Sequence, residues 1–522
     1  MASLVRSTGI VALSTLCSRI LGLVRDVLMA ATFGAVRTAD VFYIAFMIPN
    51  LFRRLVAEGA LTISFVPVYT ETLIIEGEEE SLRLAQKAMT LQVAAILLII
   101  ILGEIFAPQL MKFFFGRVDS PAIFDLSVGL TRFMFPYLFF AGFVAFAMGY
   151  LNSRGHFFSP AFSPVLLNVG IIAGILLFSR FFEEPVYGVA MGVIAGGILQ
   201  MLLQIPYMVK ENFKVKFSFD LAHPGIRKIF RMLGPAIFGI AIYQINVLVG
   251  NLLATMLPEG SVSYIYYTSR LTELVLGVFI VSIGNVILPE MSRLSVLNDR
   301  RSFSKLFSDS VSSALFLAVP ASAALITAGL PVISVIFMRG RFTFADAQLT
   351  HFALIFASLG IIFVSILRII VPAFYSMKDT KTPVYTSAVS FIINAVLGYI
   401  LMHTSLRHGG LTLAGSIAAA VQVILLSAVL YKRTGGIDIK RIGLSFGKFV
   451  LASGAMVIVI HYITAMADWE LDSFFYRISI LVLTVVSGSA VYFISCYLLR
   501  SGEMIYFAGK IKNRIRSKTP KP

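Results

Sequence analysis

Gly188–Gln200, GVAMGVIAGGILQ, carries a single polar side chain, and Gly410–Gln422, GLTLAGSIAAAVQ, repeats its outline 222 residues later. The first run is too apolar for the surface of a soluble helix, and its recurrence implies a duplicated architecture. Two further landmarks share the spacing. Pro67 in Ile63–Glu71, ISFVPVYTE, corresponds to Pro289 in Gly284–Ser292, GNVILPEMS, again 222 residues on. The basic loops NSRGHFFSP and SMKDTKTP end at Pro160 and Pro383, 223 apart. Six helices fit inside one repeat. An even number preserves orientation, so the halves are parallel repeats related by an axis along the membrane normal.

The 522 residues are 58% hydrophobic and 13% charged. Soluble domains carry about 25% charged residues. Apolar runs long enough to cross a hydrocarbon core of about 30 Å recur along the whole chain. Continuous runs of this kind are helices, not the alternating strands of a membrane barrel. Fourteen helices are expected, at 4–33, 38–74, 84–108, 122–152, 158–180, 187–209, 226–257, 261–295, 303–328, 346–377, 383–404, 410–431, 442–466 and 474–500. The first two exceed a straight span, so tilt, kinks at Gly22 or Pro49, or projection past the membrane must absorb the excess. The expected fold is an all-α polytopic membrane protein. It has fourteen transmembrane helices, in two pseudo-symmetric six-helix bundles around a central cavity plus two C-terminal helices. The corresponding division is 1–217, 218–435, and 436–522 with a basic tail. Two parallel bundles permit alternating access by rocking, which is transporter architecture.

Cys17 and Cys496 lie in apolar runs and read as small buried hydrophobes. The first run shows no small-x-small cleavage site and stays apolar to Phe33, so it reads as a membrane helix rather than a signal peptide. With the N-terminus inside, 28 of the 43 lysines and arginines fall on inner loops and tails. That bias places both termini in the cytoplasm. The net charge of +16 then reports topology, not nucleic-acid binding. The tail after Arg500 suits anionic headgroups.

Charges inside membrane helices cost about 2.5–3.5 kcal/mol each on insertion scales, so they face a cavity or a partner. Ser18–Asp26, SRILGLVRD, holds Arg19, Arg25 and Asp26. Asp40, Arg53, Arg54 and Glu58 follow, and Arg270 and Glu273 join from the second half. Arg19 and Asp26 are seven apart and share a helix face, whereas Arg25 points elsewhere unless the helix distorts near Gly22. Arg54 and Glu58, four apart, can pair. Arg132 and Arg368 fit simple pairing or snorkelling. Five arginines (19, 25, 53, 54 and 270) set against Asp26, Asp40, Glu58 and Glu273 leave a positive cavity suited to an anion. Guanidinium forks favour phosphate oxygens. The glycine-rich stretches follow no strand and read as close helix packing. No metal or catalytic motif stands out, and the six histidines are scattered.

SRILGLVRDVLMAATFG, followed by ADVFYIAFMIPNLFRRLVAEGALTISFVPVYTE and YYTSRLTELVLGVFIVSIGNVILP, closely resembles the signature of the MurJ (MviN) family. These are bacterial lipid II flippases of the multidrug/oligosaccharidyl-lipid/polysaccharide exporter superfamily. The resemblance runs along essentially the whole chain, including 442–466 and 474–500. It implies a non-enzymatic carrier moving lipid II from the inner to the outer leaflet of the bacterial cytoplasmic membrane for peptidoglycan synthesis. Membrane lipids and the peptidoglycan synthesis machinery are the partners it implies. The family's functionally important cavity charges correspond to Arg19, Arg25, Asp26, Asp40, Arg53, Arg54 and Arg270, with Glu58 nearby. With the charge balance above, Arg19, Arg25, Arg53, Arg54 and Arg270 are expected to bind substrate, and Asp26, Asp40, Glu58 and Glu273 to gate or pair. The last two helices are expected to form, with the second bundle, a groove for the lipid tail.

One departure stands out. Some members bind sodium through acidic residues in the segments corresponding here to 226–257 and 383–404. This chain offers Gln244, Asn246, Asn251 and Asn394 there, with no carboxylate. Membrane potential or protons are therefore at least as plausible as sodium for the coupling, and no cofactor is expected. The rivals are an exporter of drugs or of another lipid-linked oligosaccharide in the same superfamily, and a membrane enzyme acting on lipid-linked sugars. The arginine cluster speaks against the first. Short loops without catalytic carboxylates or a metal motif speak against the second.

Overall fold

The computed structural model describes residues 2–55, 60–115, 120–277, 281–434 and 436–505. The elements are α1 (Ala2–Phe33), α2 (Arg37–Phe52), α3 (Ala60–Ile75), α4 (Glu78–Phe115), α5 (Pro121–Met134), α6 (Tyr137–Ser153), α7 (Phe158–Leu176) and α8 (Val186–Lys210). They continue as α9 (Pro224–Thr255), α10 (Ser261–Val275), α11 (Val281–Val296), α12 (Arg300–Phe337), α13 (Phe344–Ser376), α14 (Lys381–Met402), α15 (Arg407–Thr434), α16 (Ile439–Thr464) and α17 (Phe474–Leu498). The described residues contain no strand. Among them, ten helical stretches are long and apolar enough to cross a membrane.

One of the expected single helices divides at described residues, and two others reach a π turn. The run expected at 38–74 is described as α2 and α3, with 56–59 outside the described residues. Pro49 removes a ladder donor inside α2, and the helix then widens into a π turn at Arg53–Leu55. The run at 122–152 divides into α5 and α6 at Pro136, which cannot donate to the ladder. The run at 261–295 is described as α10 and α11, with π geometry at Leu276 and Gly277 and with 278–280 outside the described residues. The two π turns lie one repeat apart. Helix α1 runs through Gly22 as continuous helix. It stops at Gly34, whose φ of 71° suits glycine and whose amide reaches the Ala30 carbonyl at 2.8 Å. Both α4 and α12 run to 38 residues, longer than expected. At 1.5 Å per residue each is about 57 Å long and overshoots a hydrocarbon core of about 30 Å.

The described residues fall into two compact units, one ending at Ser263 and one beginning at Tyr264. In the first, Phe65 and Tyr69 of α3 stack on Phe146 and Tyr150 of α6, with ring centroids 5.4 Å apart in both cross-helix pairs. Phe213 closes the cluster against Tyr150 at 5.0 Å. Helices α7 and α8 touch along glycines. A methyl group on Gly170 would sit 2.4 Å from the Gly196 Cα, and one on Gly192 would sit 2.5 Å from the Gly170 carbonyl. Backbone contact of this kind replaces the hydrophobic drive that lipid removes. The glycines of GVAMGVIAGGILQ are therefore packing residues.

The landmark glutamines do equivalent work in each half. Gln200 of α8 donates to the Ser163 carbonyl of α7 at 3.0 Å. Gln422 of α15 donates to the Ser387 hydroxyl of α14 at 2.9 Å. In the second unit, Phe316 of α12, Phe449 of α16 and Tyr492 of α17 share one core. The Tyr492 hydroxyl donates to the Phe316 carbonyl at 2.7 Å, docking α17 on α12. Helices α4 and α17 present exposed apolar ridges, including Leu98, Ile101, Ile105, Val482, Val485 and Val486. Ridges of this extent suit lipid, not water.

Candidate functional site

The α1 charges separate into two kinds. Asp26 is 3% exposed. Arg25 grips it through Nε at 3.0 Å and Nη2 at 2.7 Å, both to Oδ1. Nη1 of Arg25 donates to Asn168 Oδ1 of α7 at 3.1 Å, and the Asn168 amide donates to the Ser18 carbonyl at 3.0 Å. This clasp fastens α1 to α7. Arg19, one turn and a half earlier, is exposed, and no hydrogen bond or ion pair to it is found among the described residues.

Asp40 lies fully buried in α2. Its carboxylate accepts from the Gly260 amide at 2.9 Å, the Ser263 amide at 2.9 Å and the Ser263 hydroxyl at 2.6 Å. Those amides are orphan donors at the start of α10, so Asp40 caps that helix from another element and meets its positive dipole end. Gly260, at φ 85°, turns its amide to the carboxylate in a conformation other residues resist. The reverse contact also exists. Glu259 Oε1 accepts from the Arg37 amide at the start of α2 at 2.6 Å. Arg37 and Glu259 are 222 residues apart, the repeat offset. The two repeat-related helix starts thus cap each other, forming a reciprocal latch.

Arg53 folds back on its own helix, donating to Asn50 Oδ1 through Nε at 2.8 Å and Nη2 at 2.6 Å. Arg54 is exposed, with no ion pair to it among the described residues. Glu58, and with it the expected Arg54–Glu58 pair, lies outside the described residues. In the second unit, Arg270 stacks 4.7 Å over the Tyr266 ring and bonds its hydroxyl at 2.9 Å. It also reaches Glu273 at 3.3 Å. Arg132 donates to the backbone carbonyl of Glu104 at 3.1 Å.

The expected charge set is therefore partly intramolecular. Arg25 with Asp26, Arg270 with Glu273, and Asp40 at α10 are engaged, whereas Arg19 and Arg54 present open guanidinium groups. Asn168, Asn50, Tyr266, Glu259 and Ser263 were not anticipated. Only Glu259 had a signal, the repeat offset from Arg37. Among the described residues, no group of three or more His, Cys, Asp and Glu side chains gathers as a metal site.

The connections outside the spans are also paired. Lys87 binds Asp220 at 2.9 Å and, with the backbone amides of Ala222 and His223, holds that carboxyl below its usual range. Around it, His223 meets Glu80 at 2.9 Å and Gln86 donates to the Lys214 carbonyl at 2.8 Å. In the second unit Asp379 is desolvated, but Thr382 and Arg433 outweigh this and also hold it low. Arg433 reaches Asp379 at 2.6 Å.

Among the described residues, ten spanning helices and repeat-related π turns, the first carrying Arg53 and Arg54, fit one class, a multi-span transporter fold. A multidrug-resistance MATE family transporter of the MOP superfamily, in an inward-facing conformation, shares it with a TM-score of 0.68. That likeness covers 80% of this chain and 94% of the other at 14% identity, and shows the fold alone. The particular family is narrower. The family model described as lipid II flippase MurJ matches residues 29–480, and the chain belongs to that family. A probable lipid II flippase MurJ of Vibrio cholerae is 34% identical, covering 90% of each chain. One of Bdellovibrio bacteriovorus is 35% identical, covering 87% of each. A solved structure of lipid II flippase MurJ in an inward closed conformation is similar at TM-score 0.79 and 29% identity. It covers 94% of this chain and 98% of that one.

Proposed function

We propose that this chain moves lipid II, an undecaprenyl-diphosphate-linked disaccharide-pentapeptide, from the inner to the outer leaflet of the bacterial cytoplasmic membrane by alternating access. The observation that carries this reading is family membership across residues 29–480, joined to relatives of near-equal length that are named for that activity. The protein acts as a carrier, not an enzyme. Enzymes of peptidoglycan synthesis supply its substrate on one face and consume it on the other.

Fourteen crossings accommodate the helices if α2 with α3, α5 with α6, and α10 with α11 each form one broken crossing. The repeat sets the division at 1–217, 218–435 and 436–522, although α9 packs with the first unit, against α3. The lysine and arginine bias puts both termini in the cytoplasm.

Arg19 and Arg54 take the diphosphate, because their forks are open and fit phosphate oxygens in pairs. Arg53 and Arg270 join when substrate displaces their local contacts to Asn50 and Glu273. Arg25 and Asp26 hold α1 in place, so their effect on binding is one of position. The Asp40 and Glu259 caps act as a gate that breaks and reforms as the helix starts separate. A net positive site also responds to the membrane potential, at about 2.3 kcal/mol per charge per 100 mV.

The test is a leaflet-resolved measurement of lipid II in cells depleted of their own flippase and supplied with this chain. Restored outer-leaflet delivery is expected. Unchanged accumulation in the inner leaflet, with the protein inserted, refutes the substrate.

A further inference from the structure

The second unit carries a half-open pocket of about 520 Å³ beside the Arg433–Asp379 pair. The first turns of α12 and the α15–α16 connection form its walls. Arg300, Arg301, Lys305, Ser308, Asp438 and Arg441 are among the residues that line it. On α12, Arg300, Ser304 and Ser308 follow one another at four-residue intervals, and Arg301, Lys305 and Asp309 form the adjacent stripe. Arg301 and Lys305 are like charges one helical turn apart, a spacing that costs stability unless an anion sits between them.

The acidic groups nearby are committed elsewhere. Asp309 pairs with Arg441 at 2.7 Å. Asp438 caps α16, accepting from the Arg441 amide at 3.0 Å. Asp299 caps α12, accepting from the Ser302 amide at 3.0 Å. Arg433, beside the cavity, is taken by Asp379. The wall is braced, because the Ser304 hydroxyl donates to the Gly436 carbonyl at 2.8 Å.

A second observation points to a ligand. Ser308 is 1% exposed and lines the cavity, yet its hydroxyl finds no hydrogen-bond partner among the described residues. Ser312 and Ser453 also have unpaired hydroxyls, but of these three only Ser308 is among the residues lining the pocket, where its hydroxyl can donate to an outside acceptor.

We propose that this cavity is a binding site for a phosphate-bearing anion, either the headgroup of an anionic phospholipid or free phosphate. Arg300, Arg301 and Lys305 supply the charge, and the Ser308 hydroxyl donates to a phosphate oxygen. The site is separate from the transport reading and does not depend on it. Its place on the face assigned to the cytoplasm puts it at headgroup level, which favours the lipid source.

The experiment uses the full-length protein in neutral detergent, titrated with phosphatidylglycerol in mixed micelles and read by native mass spectrometry and thermal shift. Replacing Arg300, Arg301 and Lys305 together with alanine is expected to weaken phosphatidylglycerol binding about tenfold or more. Ser308→Ala is expected to weaken it about twofold to threefold, the loss of one hydrogen bond, with unchanged melting in the absence of lipid. A control removing Lys378, Lys381 and Lys432, the same charge from a neighbouring surface, is expected to change it less than about twofold. Inorganic phosphate is added as competitor. Displacement of the lipid assigns the site to the phosphate group itself, and retention assigns it to the intact headgroup, so either supports an anion site. Wild-type affinity in both the triple variant and Ser308→Ala, or an equal loss in the control, overturns the proposal.

Discussion

Two places in the first unit hold charge in what should be apolar helix, and they treat it in opposite ways. At Asp40 every contact is internal, because the carboxylate caps α10 through Gly260 and Ser263. At Arg19 and Arg54 the guanidinium groups are exposed and unpaired among the described residues. The Arg25–Asp26–Asn168 clasp belongs with the first kind. The difference separates charges that hold the protein together from charges that can be offered to a ligand. It makes distinct predictions for stability and for transport.

The largest effect on stability is expected at Asp40. Asp40→Ala strands three donors in a buried place and should cost about 3 kcal/mol. Asp40→Asn keeps one acceptor and should cost clearly less. Thermal unfolding in detergent reads both, and equal melting of the alanine variant and wild type would remove the latch. Arg25→Ala leaves Asp26 buried without its partner and should cost about 2 kcal/mol, the residual exposure of the arginine moderating the loss. Pairing it with Asp26→Asn should recover part of that loss. A smaller effect is expected at the glutamines. Gln200→Leu and Gln422→Leu each remove one interhelical hydrogen bond, worth about 1 kcal/mol. Gln200→Leu should be the milder of the two, because glycine contacts hold α7 to α8 independently.

The smallest effect concerns pH. The carboxyl of Asp220 is held below its ordinary value of 3.8 by Lys87 and backbone amides. Its contact is therefore present above that value and lost as the pH falls through the lowered one. Hydrogen exchange in 211–223 should rise in that acid range. Asp220→Asn should raise exchange at neutral pH and flatten the acid response. An unchanged profile in that variant would show that the His223–Glu80 contact, not Lys87, holds the connection.

Much of this was legible in the chain. The helices announce themselves as apolar runs, and Gln200 and Gln422 mark equivalent helix pairs because an interhelical hydrogen bond in lipid demands a polar residue at one place. The local departures from regular helix were not legible. The π turns at Arg53–Leu55 and at Leu276 and Gly277 arise from ladder geometry, which leaves no compositional trace. Pro136 was visible, but prolines in membrane helices often only kink them. Asp40 could be seen as an expensive charge, yet its partners lie 220 and 223 residues away. The pairing of Arg25 with its immediate neighbour was hidden for another reason. Adjacent residues on an ideal helix face apart, and a long guanidinium stem bridges what the helical wheel separates.

The account rests most heavily on the open arginines. The direct measurement is leaflet-resolved lipid II in flippase-depleted cells carrying either the wild-type chain or the Arg19→Ala/Arg54→Ala double variant, at matched membrane levels and with melting checked on the purified proteins. The account predicts wild-type melting for the variant and a fall in outer-leaflet delivery of about tenfold or more. Full delivery by the double variant would contradict it.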